Sequence, residues 1–369
     1  MANLLAKFSF MEEWKSYKMG DLFTLEYGKP VEDKDSIDGP IPVFGTNGQI
    51  GTSHMAPLCN HPSVILGRKG AYRGVHFSDR PFSVIDTAFY VEPISDVFDI
   101  KWLYYKLLTY DINSMDSGSA IPSTDRYQIY SLSIDLPSLE VQKRTVRVLD
   151  SINDKIALNN RINHNLEEQA QALYKSWFVD FEPFKDGEFV DSELGLIPEG
   201  WRVGIIGDIA TITSGKRPNT KFETSSAEHA IPVFGASSVM AFTDSVYLTE
   251  RAIITGRVGT LGVLQRVDEP CWPSDNTLII KSPYENFVFH VLKEVDFGSL
   301  NRGSTQPLLT QSDLKSWSII IPPEGIITEY ESLMRKTYDL IAGHYMQNQR
   351  LSLIRDALLP QLMSGQLTC

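Results

Sequence analysis

The chain has 369 residues, of which 42% are hydrophobic and 22% charged, and its formal net charge is −12. The length fits two or more domains, and the composition is that of an ordinary globular protein. No apolar run approaches the roughly 18 residues of a membrane span, and we expect no signal peptide. Three widely spaced cysteines predict free thiols in a reducing cytoplasm rather than disulfides or a metal site. The acidic balance argues against a uniformly basic nucleic-acid coat, although basic segments can still collect on one surface.

The first segment, residues 1–138, is predicted to be a mixed α/β domain. Ser63–Leu66 and Ala71–Phe77 are apolar, β-branched runs on either side of a glycine turn, which predicts a hairpin. Phe82–Val91 is a further strand candidate, and Phe98–Tyr110 has the apolar spacing of a helix. A short apolar strand, Leu132–Leu136, then ends at a proline. The domain therefore combines many short strands with few helices.

The second segment, residues 139–182, is predicted to be one long helix. Neither proline nor glycine interrupts it as far as Phe178. Side chains spaced alternately by four and three residues form a heptad stripe of Ile152, Ile156, Asn159, Asn163, Leu166, Ala170, Leu173 and Trp177. A helix of ~40 residues is ~60 Å long, which exceeds a small domain, so we expect it to pair with another helix. The polar members of the stripe could set the register of that pairing or simply face solvent.

The rest of the chain repeats the first half. After an acidic connector, residues 183–323 repeat the α/β segment and residues 324–369 repeat the helix. The matched runs lie 185 to 190 positions apart. They include GDL at 20 with GDI at 207, IPVFG at 41 and 231, VILGR at 64 with IITGR at 253, and LSIDLP at 132 with WSIIIP at 317. Ordered matches over most of each half predict a tandem pair rather than two unrelated domains.

The second helix has a more polar stripe than the first. It consists of Thr337, Ile341, His344, Asn348, Leu351, Arg355, Leu358 and Leu362. We therefore predict a mixed α/β fold in which two tandem-repeat domains are separated by two long helices that pair as an antiparallel coiled coil. The apolar residues expected at the helix–helix interface are Ile152, Ile156, Leu166, Leu173, Trp177, Ile341, Leu351, Leu358 and Leu362.

Motifs of catalysis are missing from the sequence. It has no G-x-x-x-x-G-K-[ST], no H-E-x-x-H, no Cys/His ligand spacing and no G-x-S-x-G. Asp86 and Asp275 are matched between the repeats, but each is far in sequence from a second acid, so structural hydrogen bonding is the better interpretation. We expect neither a catalytic centre nor a cofactor or metal site in this chain.

Three sequence runs resemble the type I restriction–modification specificity subunits. They are ALYKSWFVDFEP at 172–183, GLIPEGW at 195–201 and RDALLPQLMSG at 355–365. The resemblance extends from about Trp14 to the end of the chain. It implies that each α/β segment is a target-recognition domain that reads one half of a bipartite, asymmetric DNA target.

The resemblance also implies roles for the helices and for partner subunits. The paired helices would fix the unread spacer, and ~60 Å of helix corresponds to at most roughly 15–18 base pairs. They would also dock two modification subunits, which bind S-adenosylmethionine and methylate adenine. Restriction subunits that use ATP and Mg²⁺ would complete the nuclease.

The candidate DNA-binding residues lie in loops that are matched between the repeats. Each could instead be a solvated basic residue or a turn former, but all present hydrogen-bonding groups suited to base edges or phosphates. They are Lys29, Arg68, Lys69, Tyr72, Ser119 and Arg126 in the first domain, and Lys216, Arg217, Arg257, Asn301, Arg302, Ser304, Thr305 and Gln306 in the second.

Two other classes of protein remain as alternatives. An enzyme acting on DNA alone would need an adenine-methyltransferase motif or a carboxylate cluster, and the sequence has neither. A scaffold that uses the helices only as a dimerisation rod would show no sequence-selective retention of DNA.

Overall fold

The computed structural model describes residues 14–115 and 122–367. These residues form two compact units that share both long helices. The first unit ends at Asn159 and resumes at Met346, and the second runs over Asn160–Tyr345.

The first unit begins with the predicted α/β domain. Its elements are β1 (Lys15–Lys18), β2 (Phe23–Tyr27), β3 (Ile41–Gly45), β4 (Gly48–Ser53), β5 (Ser63–Gly67), β6 (Val75–Ser78), β7 (Ser83–Val84), β8 (Ala88–Pro93), α1 (Ile100–Leu107), α2 (Arg126–Ser131), β9 (Ser133–Leu136) and the long helix α3 (Leu139–Phe178). The strands form a four-stranded sheet β2-β8-β5-β6, a three-stranded sheet β4-β3-β7 and the pair β1-β9. Helix α1 starts where the Asp99 side chain accepts hydrogen bonds from the amides of Lys101 and Trp102.

The second unit repeats this order after a short acidic hairpin. Its elements are β10 (Phe189–Ser192), β11 (Gly195–Pro198), β12 (Arg202–Ile205), α4 (Ile206–Ile209), β13 (Thr211–Ser214), β14 (Ile231–Phe234), β15 (Val239–Thr243), β16 (Ala252–Gly256), β17 (Gln265–Val267), β18 (Trp272–Pro273), β19 (Thr277–Lys281), α5 (Glu285–Lys293), α6 (Gln311–Lys315), β20 (Ser318–Ile321) and the long helix α7 (Glu324–Ser364).

The sheets of the two units have the same topology. The second unit contains β13-β19-β16-β17, β15-β14-β18 and β12-β20, each with its counterpart in the first unit. The strand pairs β3–β4 and β14–β15 even share a register shift, at Val43/Phe44 and at Val233/Phe234. The tandem repeat predicted from sequence is therefore a repeat of fold.

The two long helices pair antiparallel within each unit. In the first unit, Arg355 donates to the side-chain oxygen of Asn153 at 3.2 Å, and Asn159 donates to that of Asn348 at 2.8 Å. In the second unit, Nδ1 of His344 lies 2.7 Å from the side-chain oxygen of Asn163. Partner numbers fall along α7 as they rise along α3, so the chain directions are opposed. The fold class predicted from sequence is confirmed.

The stripe on α3 departs from a strict heptad near its C-terminal end. Tyr174 and Phe178 are buried there, whereas the predicted Leu173 and Trp177 are half-buried and pack against the same apolar cluster. A helix with 3.6 residues per turn drifts relative to a seven-residue repeat, which moves the buried stripe by one position. The other predicted interface residues are buried at Ile341 and Leu362 and half-buried at Ile152, Ile156, Leu166, Leu351 and Leu358.

Each long helix contributes to the apolar cores of both units. Val146, Leu149 and Leu362 belong to the cluster of the first unit, and Tyr174, Tyr330 and Ile341 to that of the second. The helices are therefore built into the domains rather than merely attached to them. No helix among the described residues is both long and apolar enough to cross a membrane.

Candidate nucleic-acid interface

Four chain segments meet at one end of the four-stranded sheet of the first unit: the end of β2, the β5–β6 turn, the loop before β8, and the loop before α2. Main-chain hydrogen bonds hold the last three together. The amide of Arg68 donates to the carbonyl of Thr87 at 2.8 Å, and the amide of Thr124 to the carbonyl of Arg68 at 2.8 Å. The amide of Gly70 donates to the carbonyl of Pro122 at 2.9 Å.

The second unit has the same main-chain hydrogen bonds. Here the amide of Arg257 donates to Asn276 at 2.8 Å and the amide of Leu309 to Arg257 at 2.8 Å. The amide of Gly259 donates to Pro307 at 3.0 Å. We call this shared arrangement of segments and hydrogen bonds the loop frame. It gives both units one backbone on which different side chains can be presented.

A glycine brings the fourth segment, the end of β2 or β13, into the frame. A Cβ atom on Gly28 would lie 2.0 Å from the carbonyl oxygen of Ile85, and one on Gly215 would lie 2.2 Å from that of Ser274. Only glycine permits this close approach of two backbones. The candidates Lys29 and Lys216 follow these glycines directly and are exposed.

The first unit presents an arginine–tyrosine cluster, which consists of Tyr27, Arg68, Arg126 and Tyr127. The guanidinium carbons of Arg68 and Arg126 lie 4.9 and 5.1 Å from the centre of the Tyr27 ring. Nη1 of Arg68 also donates to the carbonyl of Asp86 at 2.7 Å. Nη2 of Arg126 lies 3.2 Å from the Tyr127 hydroxyl, a hydrogen bond that raises the pKa of Arg126.

The cluster leaves its positive charge uncompensated and accessible. Tyr27 and Tyr127 are 45% and 65% exposed. Within the described parts of the chain, neither Arg68 nor Arg126 forms an ion pair with a carboxylate. Two guanidinium groups held by rings and a carbonyl can therefore approach the electronegative edges of bases or phosphates.

The second unit places different groups at the same positions of the loop frame. Ser214 ends β13 as Tyr27 ends β2, and Gln311 begins α6 as Arg126 begins α2. The Gln311 amide nitrogen donates to the Ser214 hydroxyl at 2.8 Å. We call these two residues the serine–glutamine pair. Arg257 takes the position of Arg68 in the loop frame, and its guanidinium has neither an ion-pair nor a hydrogen-bond partner among residues 14–115 and 122–367.

Comparison with known proteins identifies the family. The family model for the type I restriction modification DNA specificity domain matches residues 11–168 and 198–329. The chain belongs to this family. It is a specificity subunit, the sequence-recognising and non-catalytic component of a type I restriction–modification complex.

Relatives from two organisms resemble this specificity subunit over most of its length. The MjaIX specificity subunit of Methanocaldococcus jannaschii is 30% identical over 302 residues, which cover 72% of this chain and 69% of the relative. The HindI specificity subunit of Haemophilus influenzae is 23% identical and covers 77% and 81% of the two chains. A solved S subunit from M. genitalium has a similar fold, with a TM-score of 0.66, 16% identity and coverage of 96% and 97%.

The matched aspartates of the two recognition domains lie inside the loop frame. Asp86 is 3.7 Å from Nζ of Lys69, and Asp275 is 3.6 Å from Nε of Arg217. Exposed pairs at these distances contribute little to stability. They do restrain one basic candidate in each domain, which agrees with a structural role for the two acids.

The loop before α6 holds the remaining candidates of the second domain. The Asn301 side-chain oxygen accepts from the amides of Gly303 and Leu308, both at 2.9 Å, so this side chain shapes the loop. Arg302 donates twice to Asp313, at 2.8 and 3.2 Å, and lowers the pKa of that carboxyl. Its charge is thereby neutralised locally, unlike that of Arg257. The last three candidates in this loop are exposed: Ser304, Thr305 and Gln306.

The β5–β6 turn carries Tyr72, which is 66% exposed, next to a buried arginine. Arg73 is only 2% exposed, and its Nη2 atom donates to the carbonyl of Asn113 at 2.7 Å. Arg73 thus fastens the turn to the loop after α1. In the second domain the corresponding turn has Gly262, which packs against Phe297. The candidate Ser119 lies outside the described residues.

Four residues of the arginine–tyrosine cluster and the serine–glutamine pair are not among the candidates predicted from the sequence: Tyr27, Tyr127, Ser214 and Gln311. Nothing in the sequence of either segment predicts that these four side chains contact a residue of another segment, and only such contacts single them out. The repeat offset contained a signal, because 185 positions separate Arg126 from Gln311 and 187 separate Tyr27 from Ser214.

Proposed function

We propose that each recognition domain of this specificity subunit reads one half of a bipartite DNA target. The loop frame carries this proposal. A duplicated backbone that presents different polar and basic side chains in its two copies suits a target with two unlike halves. Side chains on the frame would supply base contacts, while lysines at its rim would bind phosphates.

The paired helices α3 and α7 would set the spacing between the half-sites. Both helices run without interruption for 40 and 41 residues. Buried amide side chains pair across them, with Asn159 bonded to Asn348 in the first unit and Asn163 to Ile341 and His344 in the second. Buried polar pairs of this kind fix helix register, because any slip leaves them without partners.

The same helices would dock two modification subunits, and restriction subunits would join that complex. Large apolar side chains on α7 are exposed in both units: Leu333, Leu340, Met346, Leu353 and Ile354. We assign S-adenosylmethionine, ATP and Mg²⁺ to the partner subunits. Among the described residues no group of three metal-ligating side chains is arranged around a possible ion. The cytoplasm is the compartment we infer, where the buried thiols Cys59 and Cys271 stay reduced.

Methylome sequencing tests the proposal directly. Cells that express this chain with its modification subunits should carry a bipartite methylated motif that disappears when the gene is deleted. Arg68→Ala and Arg257→Ala should each lower methylation of that motif by about tenfold or more, which is the effect expected from losing one good base contact.

Arg80→Ala is the matched control. Arg80 is exposed beyond the other end of β6, away from the loop frame, and its removal changes the net charge equally. Methylation should stay at the level of the unmodified chain. A motif that persists without the gene, or an equal loss with Arg80→Ala, would refute the proposal.

A further inference from the structure

We infer that Arg126 and Gln311 are equivalent base-selecting residues, and that they give the two half-sites different bases at one equivalent position. Arg126 would select guanine in the half-site of the first domain, and Gln311 would select adenine in that of the second. The inference rests on the proposed function and specifies how its two halves differ.

The two residues occupy the same place in the fold. Arg126 follows the helix cap Asp125 as the first residue of α2, and Gln311 follows the cap Thr310 as the first residue of α6. Each contacts the last residue of the matched strand. The Arg126 guanidinium lies over the Tyr27 ring, and the Gln311 amide donates a hydrogen bond to the Ser214 hydroxyl. The adjoining main-chain hydrogen bonds are the same in both domains. Only the chemistry of the presented group differs.

That chemical difference matches two different base edges. A guanidinium carries paired N–H donors that fit O6 and N7 of guanine, and a glutamine amide has one donor and one acceptor that fit N7 and N6 of adenine. Base selection needs a side chain held in a fixed orientation, because freezing a free one on binding costs affinity. Stacking and hydrogen bonding supply that restraint at both positions.

A purely phosphate-binding role fits the pair less well. Phosphate contacts are made best by cationic groups, and the neutral Gln311 offers much less attraction to a phosphate than arginine does. If the position served only to hold the DNA backbone, a basic residue would be favoured in both domains. Arg302, the nearest cation on the same loop, is already bonded to Asp313.

Reciprocal exchange of the two residues tests the inference. The complete complex is expressed with Arg126→Gln or with Gln311→Arg, and the methylated motif is read by methylome sequencing. Arg126→Gln should change one position of the first half-site from guanine to adenine, by about tenfold to a hundredfold in relative methylation, and leave the second half-site unchanged. Gln311→Arg should produce the opposite change in the second half-site only.

A second variant covers the case in which the arginine introduced at position 311 is not held in the orientation of Arg126. Ser214→Tyr combined with Gln311→Arg supplies the ring on which Arg126 rests in the first domain, and should strengthen the preference for guanine. Arg80→Gln is the control for charge and should leave the motif as it is.

The outcomes separate this inference from the proposed function. If the unmodified chain directs methylation to a bipartite motif, and the exchanges reduce methylation uniformly or leave every base unaltered, the inference is wrong and the proposed function stands. If no bipartite motif depends on this chain, the proposed function itself fails. A changed base in the half-site expected for the exchanged domain supports both.

Discussion

The two recognition domains share their backbone and differ in the side chains placed on it. Each main-chain hydrogen bond of the loop frame in one domain has its counterpart in the other. One copy nevertheless carries the arginine–tyrosine cluster and the other the serine–glutamine pair. Main-chain hydrogen bonds do not depend on side-chain identity, so the frame survives substitutions that alter what it presents. A duplicated domain can thus change what it recognises while its fold is retained.

The cores of the two domains have diverged by compensation. In each, two residues exchange a pair of main-chain hydrogen bonds and are buried side by side: Cys59 with Phe82, and Leu248 with Cys271. The small and large side chains have changed places between the copies. Close-packed interiors require total volume to be conserved locally, which explains the reciprocal change.

The largest expected effect comes from breaking this compensation. Phe82→Cys should destabilise the first domain by about 3 kcal/mol, since Phe→Ala in a core costs ~3–5 kcal/mol through lost burial and a cavity. Adding Cys59→Leu reproduces the arrangement of the second domain and should recover ~1 kcal/mol or more. Hydrogen exchange of the slowest amides in β5 measures the change, with β16 as the internal control. Additive effects of the two substitutions would contradict the compensation.

The contact between the short helix of each domain and a long helix also differs between the units, because the tyrosine has changed sides. Asn153 donates to the Tyr105 hydroxyl at 2.9 Å in the first unit, whereas the Tyr338 hydroxyl lies 3.0 Å from Nε2 of His290 in the second. His290 lies 185 positions after Tyr105, and Tyr338 lies 185 positions after Asn153, so the two pairs occupy corresponding positions of the repeat. His290 is fully buried, and this burial lowers its pKa to about 3.

Acid should therefore weaken the second unit more than the first. Above pH ~6.5 the His290 ring is neutral in folded and unfolded chains, so stability there does not depend on its titration. Below that pH the unfolded chain binds a proton that the folded chain cannot, and stability should fall by up to ~1.4 kcal/mol per pH unit until the pH nears 3. Hydrogen exchange of α5 compared with α1 between pH 6.5 and 4.5, corrected for intrinsic rates, measures the effect.

His290→Gln provides the matched control for this pH dependence. It removes the titrating ring, so the additional acid loss in α5 should disappear even if the variant is less stable at pH 7. Equal loss of protection in α1 and α5 of the unmodified chain would show that other groups dominate.

The smallest expected effect concerns how the β5–β6 turn is held. Arg73→Met removes the guanidinium hydrogen bonds to the carbonyls of Ile112 and Asn113 and should cost about 1–2 kcal/mol locally, because these carbonyls lose their side-chain donor. Methylation of the whole motif should decline several-fold without a change of base, and hydrogen exchange should rise in the β5–β6 turn but not in the β16–β17 turn. A changed motif would instead make Arg73 a base-selecting residue.

The sequence by itself determined the repeat, the two long helices, the absence of catalytic motifs and the family. These features depend on residue order and period, which are properties of a single chain segment or of two segments compared. Arg68, Arg126 and Arg257 were also found this way, because basic residues in matched loops are visible in the sequence. Their assignment as DNA contacts stays a prediction.

Only the tertiary structure decided which loop residues contact one another and which basic side chains are already paired or buried. Tyr27 and Arg126 lie 99 positions apart, and nothing in either segment predicts that the ring supports the guanidinium. The ion pair of Arg302 with Asp313 and the burial of Arg73 were equally hidden. Burial and pairing depend on neighbours brought together by the fold, so sequence period and composition carry no record of them.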